Sequence, residues 1–373
     1  MEGRLALVAR LQRDSAPVAL SASFPCSSCG ATVEYAPGTT SLRCPYCKAE
    51  QTIPLASDAA VAAAVEELDF AAALAAGAAQ QTTEEILTVK CGSCAAETSF
   101  AANVTADRCA FCGTPLVAEA QSKKVIKPRA LLPFKIARDE AATRFRAWVK
   151  SLWFAPDRLQ REAGAGRIDG VYLPFWTYDC ATHTRYDGQR GEDYTEQQRG
   201  PDGKVRTITK TNWTPVSGDV RAVFDDVIVP ASGSLPEKYV AALEPWDLKD
   251  LVPYADSYLS GFRTESYARS LAGGFEAARA IMESAIRDLI HRDIGGDRQS
   301  VDSMDTKYSG LTFKHVLLPV WISSYRFRGT VYRFLVNART GEVQGERPWS
   351  WIKIALAVLA GLVLLALYWG ADN

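Results

Sequence analysis

Histidine is scarce in this chain, with three among 373 residues, and His183, His291 and His315 lie far apart in sequence. Little imidazole is therefore on hand for acid–base chemistry. No GxxxxGK[ST] phosphate loop, GxSxG elbow or HExxH helix occurs, which removes common routes to nucleotide, acyl-transfer and metalloprotease chemistry. The best catalytic constellation that can be assembled is Asp179, Cys180 and His183. Cys180 alternates with Trp176 and Tyr178, however, and reads more simply as a small buried hydrophobe. The expectation is a protein that is not an enzyme.

No secretory leader is expected, since Arg10 and Arg13 interrupt the N-terminal apolar run. Charge is absent from Ile354 to Trp369. As a helix this run spans roughly 24 Å, and its flanking aromatics extend it toward a hydrocarbon core of about 30 Å. Trp349 and Trp351 stand before it, Tyr368 and Trp369 at its end, and Lys353 can snorkel to headgroups. The expectation is a transmembrane tail anchor over 349–370. Arg347 and Lys353 precede the span and only Asp372 follows it, which predicts that the bulk of the chain faces the cytoplasm.

What the sequence does have is cysteine. Eight of nine cysteines form two identical frames of C-x2-C-x14-C-x2-C: Cys26, Cys29, Cys44 and Cys47, then Cys91, Cys94, Cys109 and Cys112. A CxxC turn points two thiolates at one centre, and two such turns complete a zinc tetrahedron. Four disulfides would need an oxidising compartment, against the expected topology. Two structural Zn2+ ions are expected, with no open coordination position for catalysis. Gly30 and Gly113 suit the left-handed backbone behind a knuckle; Lys48 and Ala95 stand in the same places in the other two pairs.

The ribbons, placed at 24–54 and 89–118, follow an N-terminal segment 1–23 and flank an Ala-rich helical linker over 55–88. From Ser21 to Ala118 there are four Lys or Arg against ten Asp or Glu, and each zinc with four thiolates adds about −2. A surface that neutralises phosphates needs the opposite sign, so protein contact is the better reading than nucleic acid. From Ala120 to Gly170 the balance reverses, with twelve basic against five acidic residues. Within it a helix near 138–153 carries Ala141, Ala142, Phe145, Trp148, Val149, Leu152 and Trp153 on one stripe, more simply a core face than a bilayer face.

Beyond residue 168 the period falls to two. "VYLPFWTYDCATHTRYDG" predicts a strand or hairpin ending at Asp187-Gly188, with "YDGQRGEDY" as a solvated hairpin tip at least as readily as a site. VYLPFWT (171–177) returns as VLLPVWI (316–322), each after a helical stretch, which predicts an internal duplication within an α+β module over 119–348. Pro174 and Pro319 are expected at an edge or a bulge, and Trp176 and Trp321 in the core. The second helix is expected from Thr264 to His291, with Tyr267, Leu271, Phe275, Ala278, Met282, Ile286 and Leu289 as its stripe and Gly273-Gly274 weakening it. The fold class expected is α+β: two four-cysteine zinc ribbons, a duplicated helix-plus-antiparallel-sheet module and one C-terminal transmembrane helix.

The cysteine frames, "GVYLPFWTYD", "LSGFRTESY", "LLPVWISSYRF" and "VNARTGEVQGERPWSW" together resemble a family of bacterial membrane-anchored double zinc-ribbon proteins. Members are often labelled primosomal protein N′ or PriA-like helicase, a label this chain does not support, because the nucleotide-binding motifs are absent. The resemblance implies an inner-membrane protein that recruits PspA-like or flotillin-like proteins, and it carries over only the eight ribbon ligands. The expected function is a tail-anchored adaptor, with a membrane-tethered nucleic-acid-binding or replication accessory protein as the alternative.

Overall fold

The computed structural model describes residues 24–80, 83–94, 96–99, 106–117, 121–156, 159, 168–199, 201, 205–327 and 330–371. The segment 1–23 and Ala95 lie outside them. The first cysteine frame is built on β1 (Glu34–Tyr35), β2 (Ser41–Arg43) and β3 (Glu50–Thr52), paired in that order. The Ala-rich stretch forms α1 (Asp58–Val65) and α2 (Phe70–Gln80) around a two-residue strand, β4 (Leu68–Asp69). The Ser57 hydroxyl caps α1 by accepting from Ala60 N–H, and the Asp69 carboxylate accepts from Ala72 N–H at the start of α2. The second frame lies among β5 (Thr83–Lys90), β6 (Glu97–Ser99), β7 (Ala106–Arg108), β8 (Pro115–Val117) and β9 (Gln121–Ile126).

There follow β10 (Ala130–Leu131), α3 (Arg138–Ser151), β11 (Asp169–Arg199), β12 (Val205–Pro230), α4 (Glu237–Ala241), β13 (Val252–Pro253), α5 (Asp256–Leu259), β14 (Arg263–Thr264), α6 (Leu271–Ile294), β15 (Arg298–Phe327), β16 (Thr330–Asn337), β17 (Val343–Gly345) and α7 (Trp351–Ala371). The centre of the molecule is a mixed sheet in which β11 is flanked by β12 and β15, both antiparallel to it.

β11 does not stop at Asp187-Gly188; it continues through "YDGQRGEDY" to Arg199. The two glycines there serve close approach, not a turn. A Cβ on Gly188 would stand 2.4 Å from Ser300 O, and one on Gly191 2.7 Å from Thr211. The pairing of β11 with β12 runs on to Arg199 opposite Val205. β15 pairs no further along β11 than Gly191, so residues 192–199 and 205–212 project as a two-stranded arm.

Opposite Asp179 and Cys180 both flanking strands carry one extra residue. Tyr178 and Cys180 face Val227 and Phe224, while Asp179 and Ala181 face Thr312 and Ser309. Asp226 (φ 52°) and Gly310 (φ 62°) take left-handed backbone there, so this is a bulge on each side of one central strand.

Pro174 and Pro319 lie in central strands and at neither bulge, which corrects their expected placement. Each sits where the neighbouring strand ends: Pro174 O accepts from Ala231 N–H and Pro319 O from Ala338 N–H. The carbonyl of Ala231 is taken by the amides of Ala268 and Arg269, and that of Ala338 by those of Lys135 and Ile136. No ladder donor is therefore missed. Trp176 donates to Arg269 O and Trp321 to Ile136 O. VYLPFWT and VLLPVWI lie side by side about the Leu173–Leu318 pair, with Tyr172 opposite Pro319 and Pro174 opposite Leu317.

Side-chain alternation gives each ribbon its own face of this sheet. Tyr172, Leu317 and Trp321 join a core with Val33, Tyr35 and Phe134 from the first ribbon's side. Val171, Leu173, Phe175, Val316 and Leu318 join Ala110 and Phe111 of the second. Linker strand β4 pairs with Thr312–Phe313 of β15. Glu67, just before it, meets Lys314 on one face, and Phe70, just after it, meets Phe313 and Tyr178 on the other. The linker is thus folded over the sheet edge and both ribbons are fixed to the body.

α3 buries Ala141, Phe145 and Val149, with Leu152 just past its end, as a core stripe does, whereas Trp153 at the end of the expected stripe is 80% exposed. α6 starts at Leu271, seven residues later than Thr264, because Ser270 caps it by accepting from Gly273 N–H. Its buried row is Leu271, Gly274, Ala278, Met282, Ile286, Ile290 and Ile294. α7 has no buried residue between Trp351 and Trp369 and is long and apolar enough to cross a membrane.

Candidate metal centres

Each CxxC pair is held by the same backbone device. The N–H of the leading cysteine donates to the carbonyl five residues on: Cys26 to Ala31, Cys44 to Ala49, Cys91 to Ala96 and Cys109 to Thr114, at 2.7 to 2.9 Å. The carbonyl of the leading cysteine accepts from the residue four on, seen for Gly30, Lys48 and Gly113. That residue must turn left-handed, and the three have φ of 75°, 63° and 72°. Lys48 adopts this conformation without being glycine; its ammonium donates to Pro45 O at 2.7 Å.

The turns aim backbone amides at sulfur. Ser28 N–H lies 3.4 Å from Cys26 Sγ. The amides of Ser28 and Cys29 lower the Cys26 thiol below its ordinary range, and that of Cys47 leads in bringing Cys44 down to about 6. These donors favour the thiolates that a metal binds.

In the first frame Cys26 and Cys47 approach to 3.5 Å and Cys29 and Cys44 to 3.6 Å. In the second, Cys91–Cys112 and Cys94–Cys109 are both 3.6 Å. Within each set all four sulfurs lie within 4.8 Å of one another. No pair is at the bonded distance of about 2.05 Å, and every cysteine is free. Four thiolates at about 2.3 Å from a tetrahedral ion have edges of about 3.8 Å, so both sets fit one metal ion each. Four sulfurs close the coordination shell.

The two centres differ in their surroundings. In the first, Cys26 and Cys44 are buried and Cys29 and Cys47 exposed, beside an exposed Tyr46. In the second, Cys91, Cys109 and Cys112 are buried and Cys94 half-buried. Phe111, inside the last CxxC pair, is fully buried against the sheet.

The structure does not bring Asp179, Cys180 and His183 together. Cys180 points toward α6, its Sγ 3.6 Å from Met282 Sδ, and burial pushes its thiol up to about 11. His183, on the other face, pairs with Asp219 at 2.9 Å. His315 is buried against Trp176, with ring centroids 4.5 Å apart, and burial brings it down to about 4. It is a neutral member of the core.

Sequence reasoning missed a polar cluster at the double bulge. Lys314 Nζ lies 2.8 Å from Asp226, 3.4 Å from Glu67 and 3.7 Å from Asp179. Asp179 also accepts from Asp226 N–H, and burial pushes its carboxyl up to about 7. The ammonium fills the space among the carboxylates, so the cluster pins the linker to the sheet. The signal was the pair Asp225-Asp226, which interrupts the alternation of "VRAVFDDVIVP".

No family model matches the chain, and no solved structure matches it. The chain is similar to the Bacillus subtilis protein YdjG, described as uncharacterized, with 28% identity over 248 residues, 65% of this chain and 70% of that one.

Proposed function

We propose that this protein is a tail-anchored, cytoplasm-facing adaptor of the bacterial inner membrane that holds two structural zinc ions and recruits other proteins there. The observation that carries this reading is an apolar helix without a single buried residue leaving a body whose metal centres are closed. Closed sulfur shells fit scaffolding rather than metal catalysis. Tyr46, exposed on the first ribbon, and the projecting strand pair 192–199 and 205–212 are the surfaces proposed to meet a partner. PspA-like or flotillin-like proteins are the partners proposed. The matched hydrogen bonds about Leu173 and Leu318 support an internal duplication, α3–β11–β12 against α6–β15–β16.

The test is a mild-detergent pull-down of the full-length protein from native membranes, with nuclease treatment in parallel. Controls carry Tyr46→Ala or lack the arm, since both ribbons are built into the core and Cys26→Ser or Cys91→Ser disturbs more than contact. Nuclease-resistant recovery of a scaffold protein that either control abolishes supports the adaptor. Recovery that vanishes with nuclease moves the reading to a membrane-tethered nucleic-acid-binding protein.

A further inference from the structure

We propose that Trp153, Phe154, Trp349, Trp351 and Ile352 form a seat that lies in the headgroup region of an anionic bilayer, so that the body rests on the membrane surface around the root of α7. This rests on the reading of α7 as a membrane anchor.

The five residues come from two places almost two hundred positions apart in sequence, and the backbone joins them. Ser350 N–H donates to Phe154 O at 2.8 Å, and Lys353 Nζ donates to Ala155 O at 2.9 Å. These bonds hold residues 153–155 level with the first turn of α7. Leu152 and Ala155 are buried on either side, which fixes the intervening Trp153 and Phe154 outward. Trp153, Trp351 and Ile352 are 80%, 79% and 75% exposed, and Trp349 is half exposed. An apolar patch of this kind in water marks a contact site.

Continuity and charge identify the occupant as lipid. The patch runs without a break into a helix whose only apolar surroundings would be a bilayer, and tryptophan is the residue type that settles at headgroup level. Arg146 and Lys150 are exposed on the last two turns of α3, the Arg347 guanidinium lies 4.6 Å over the Trp349 ring, and Lys353 stands in the first turn of α7. No Asp or Glu occurs between Arg347 and Ala371. Cations among interfacial aromatics complement anionic headgroups.

Full-length protein labelled with fluorotryptophan, in nanodiscs of phosphatidylcholine with phosphatidylglycerol, tests this by fluorine NMR with a paramagnetic headgroup lipid added. Single Trp→Phe variants assign the signals. The expected result is several-fold broadening of Trp153, Trp349 and Trp351, with the core residue Trp176 unaffected. If Trp351 and Trp369 broaden while Trp153 stays sharp, the anchor stands and the seat is overturned. If Trp369 stays sharp as well, the anchor reading falls and the seat with it. A Trp153 signal that responds to protein density in the disc but not to labelled lipid assigns the patch to a second copy and also overturns the proposal.

Discussion

At the residue scale, two positions state their energetics plainly. Lys48 takes a left-handed backbone that costs an L-residue roughly 1 to 2 kcal/mol, part of which glycine returns in chain entropy. Lys48→Gly is expected to raise the stability of the metal-loaded protein by about 0.5 kcal/mol, read as a higher midpoint in thermal melts. Glu265 is buried with one carboxylate oxygen lacking a partner; the other accepts from Ser234. Burial raises its carboxyl to about 7. A raised acid binds its proton more tightly when folded, so its contribution is present in acid and is lost as pH rises through 7. Glu265→Gln should therefore gain on the parent between pH 6 and pH 8, by roughly 1 to 3 kcal/mol at the upper end. Denaturation at both pH values checks the sign; an equal difference at both would refute it.

At the element scale, the paired glycines of α6 behave oppositely. A Cβ on Gly274 would lie 2.3 Å from the Tyr178 hydroxyl and 2.8 Å from Trp176, whereas one on Gly273 meets nothing closer than 3.3 Å. Gly274→Ala is expected to cost about 2 kcal/mol or more through overpacking, and Gly273→Ala to be neutral or stabilising by up to about 1 kcal/mol. Chemical denaturation of the two variants separates these outcomes. The sequence reading placed both glycines in a helix and charged each with a propensity cost; the close approach at Gly274 depends on Tyr178 and Trp176, ninety-odd residues away. The same holds for β11. Period two announced the strand, but a Gly in "YDGQRGEDY" looks alike whether it turns the chain or admits a neighbour. The core stripe of α3 was legible because 3.6-residue spacing is local, and Trp153 escaped it because the helix stops at Ser151.

At the scale of the whole molecule, the grouping of eight cysteines into two sets of four was legible, since spacing alone defines a CxxC frame. Their docking was not, because it follows from which side of one strand each contact residue falls. The consequence is that metal and body are coupled unequally. Chelation of the full-length protein is expected to release metal in two phases of one ion each. The first frame, with two exposed sulfurs, should empty first and leave most sheet structure intact. The second should empty with loss of the core around Phe111. Metal release followed beside circular dichroism tests the order; a single phase would count against it.

The double bulge beside Cys180 also makes the sheet a lever. Nineteen residues of β11 run from Ala181 to Arg199, up to about 60 Å of strand at roughly 3.3 Å per residue. A bend of about 5° at the bulge would sweep the arm's tip through roughly 5 Å. The Lys314 cluster sits at this fulcrum and also grips the chain between the ribbons, so a partner pulling on the arm would load the linker through this cluster and the β4–β15 pairing beside it.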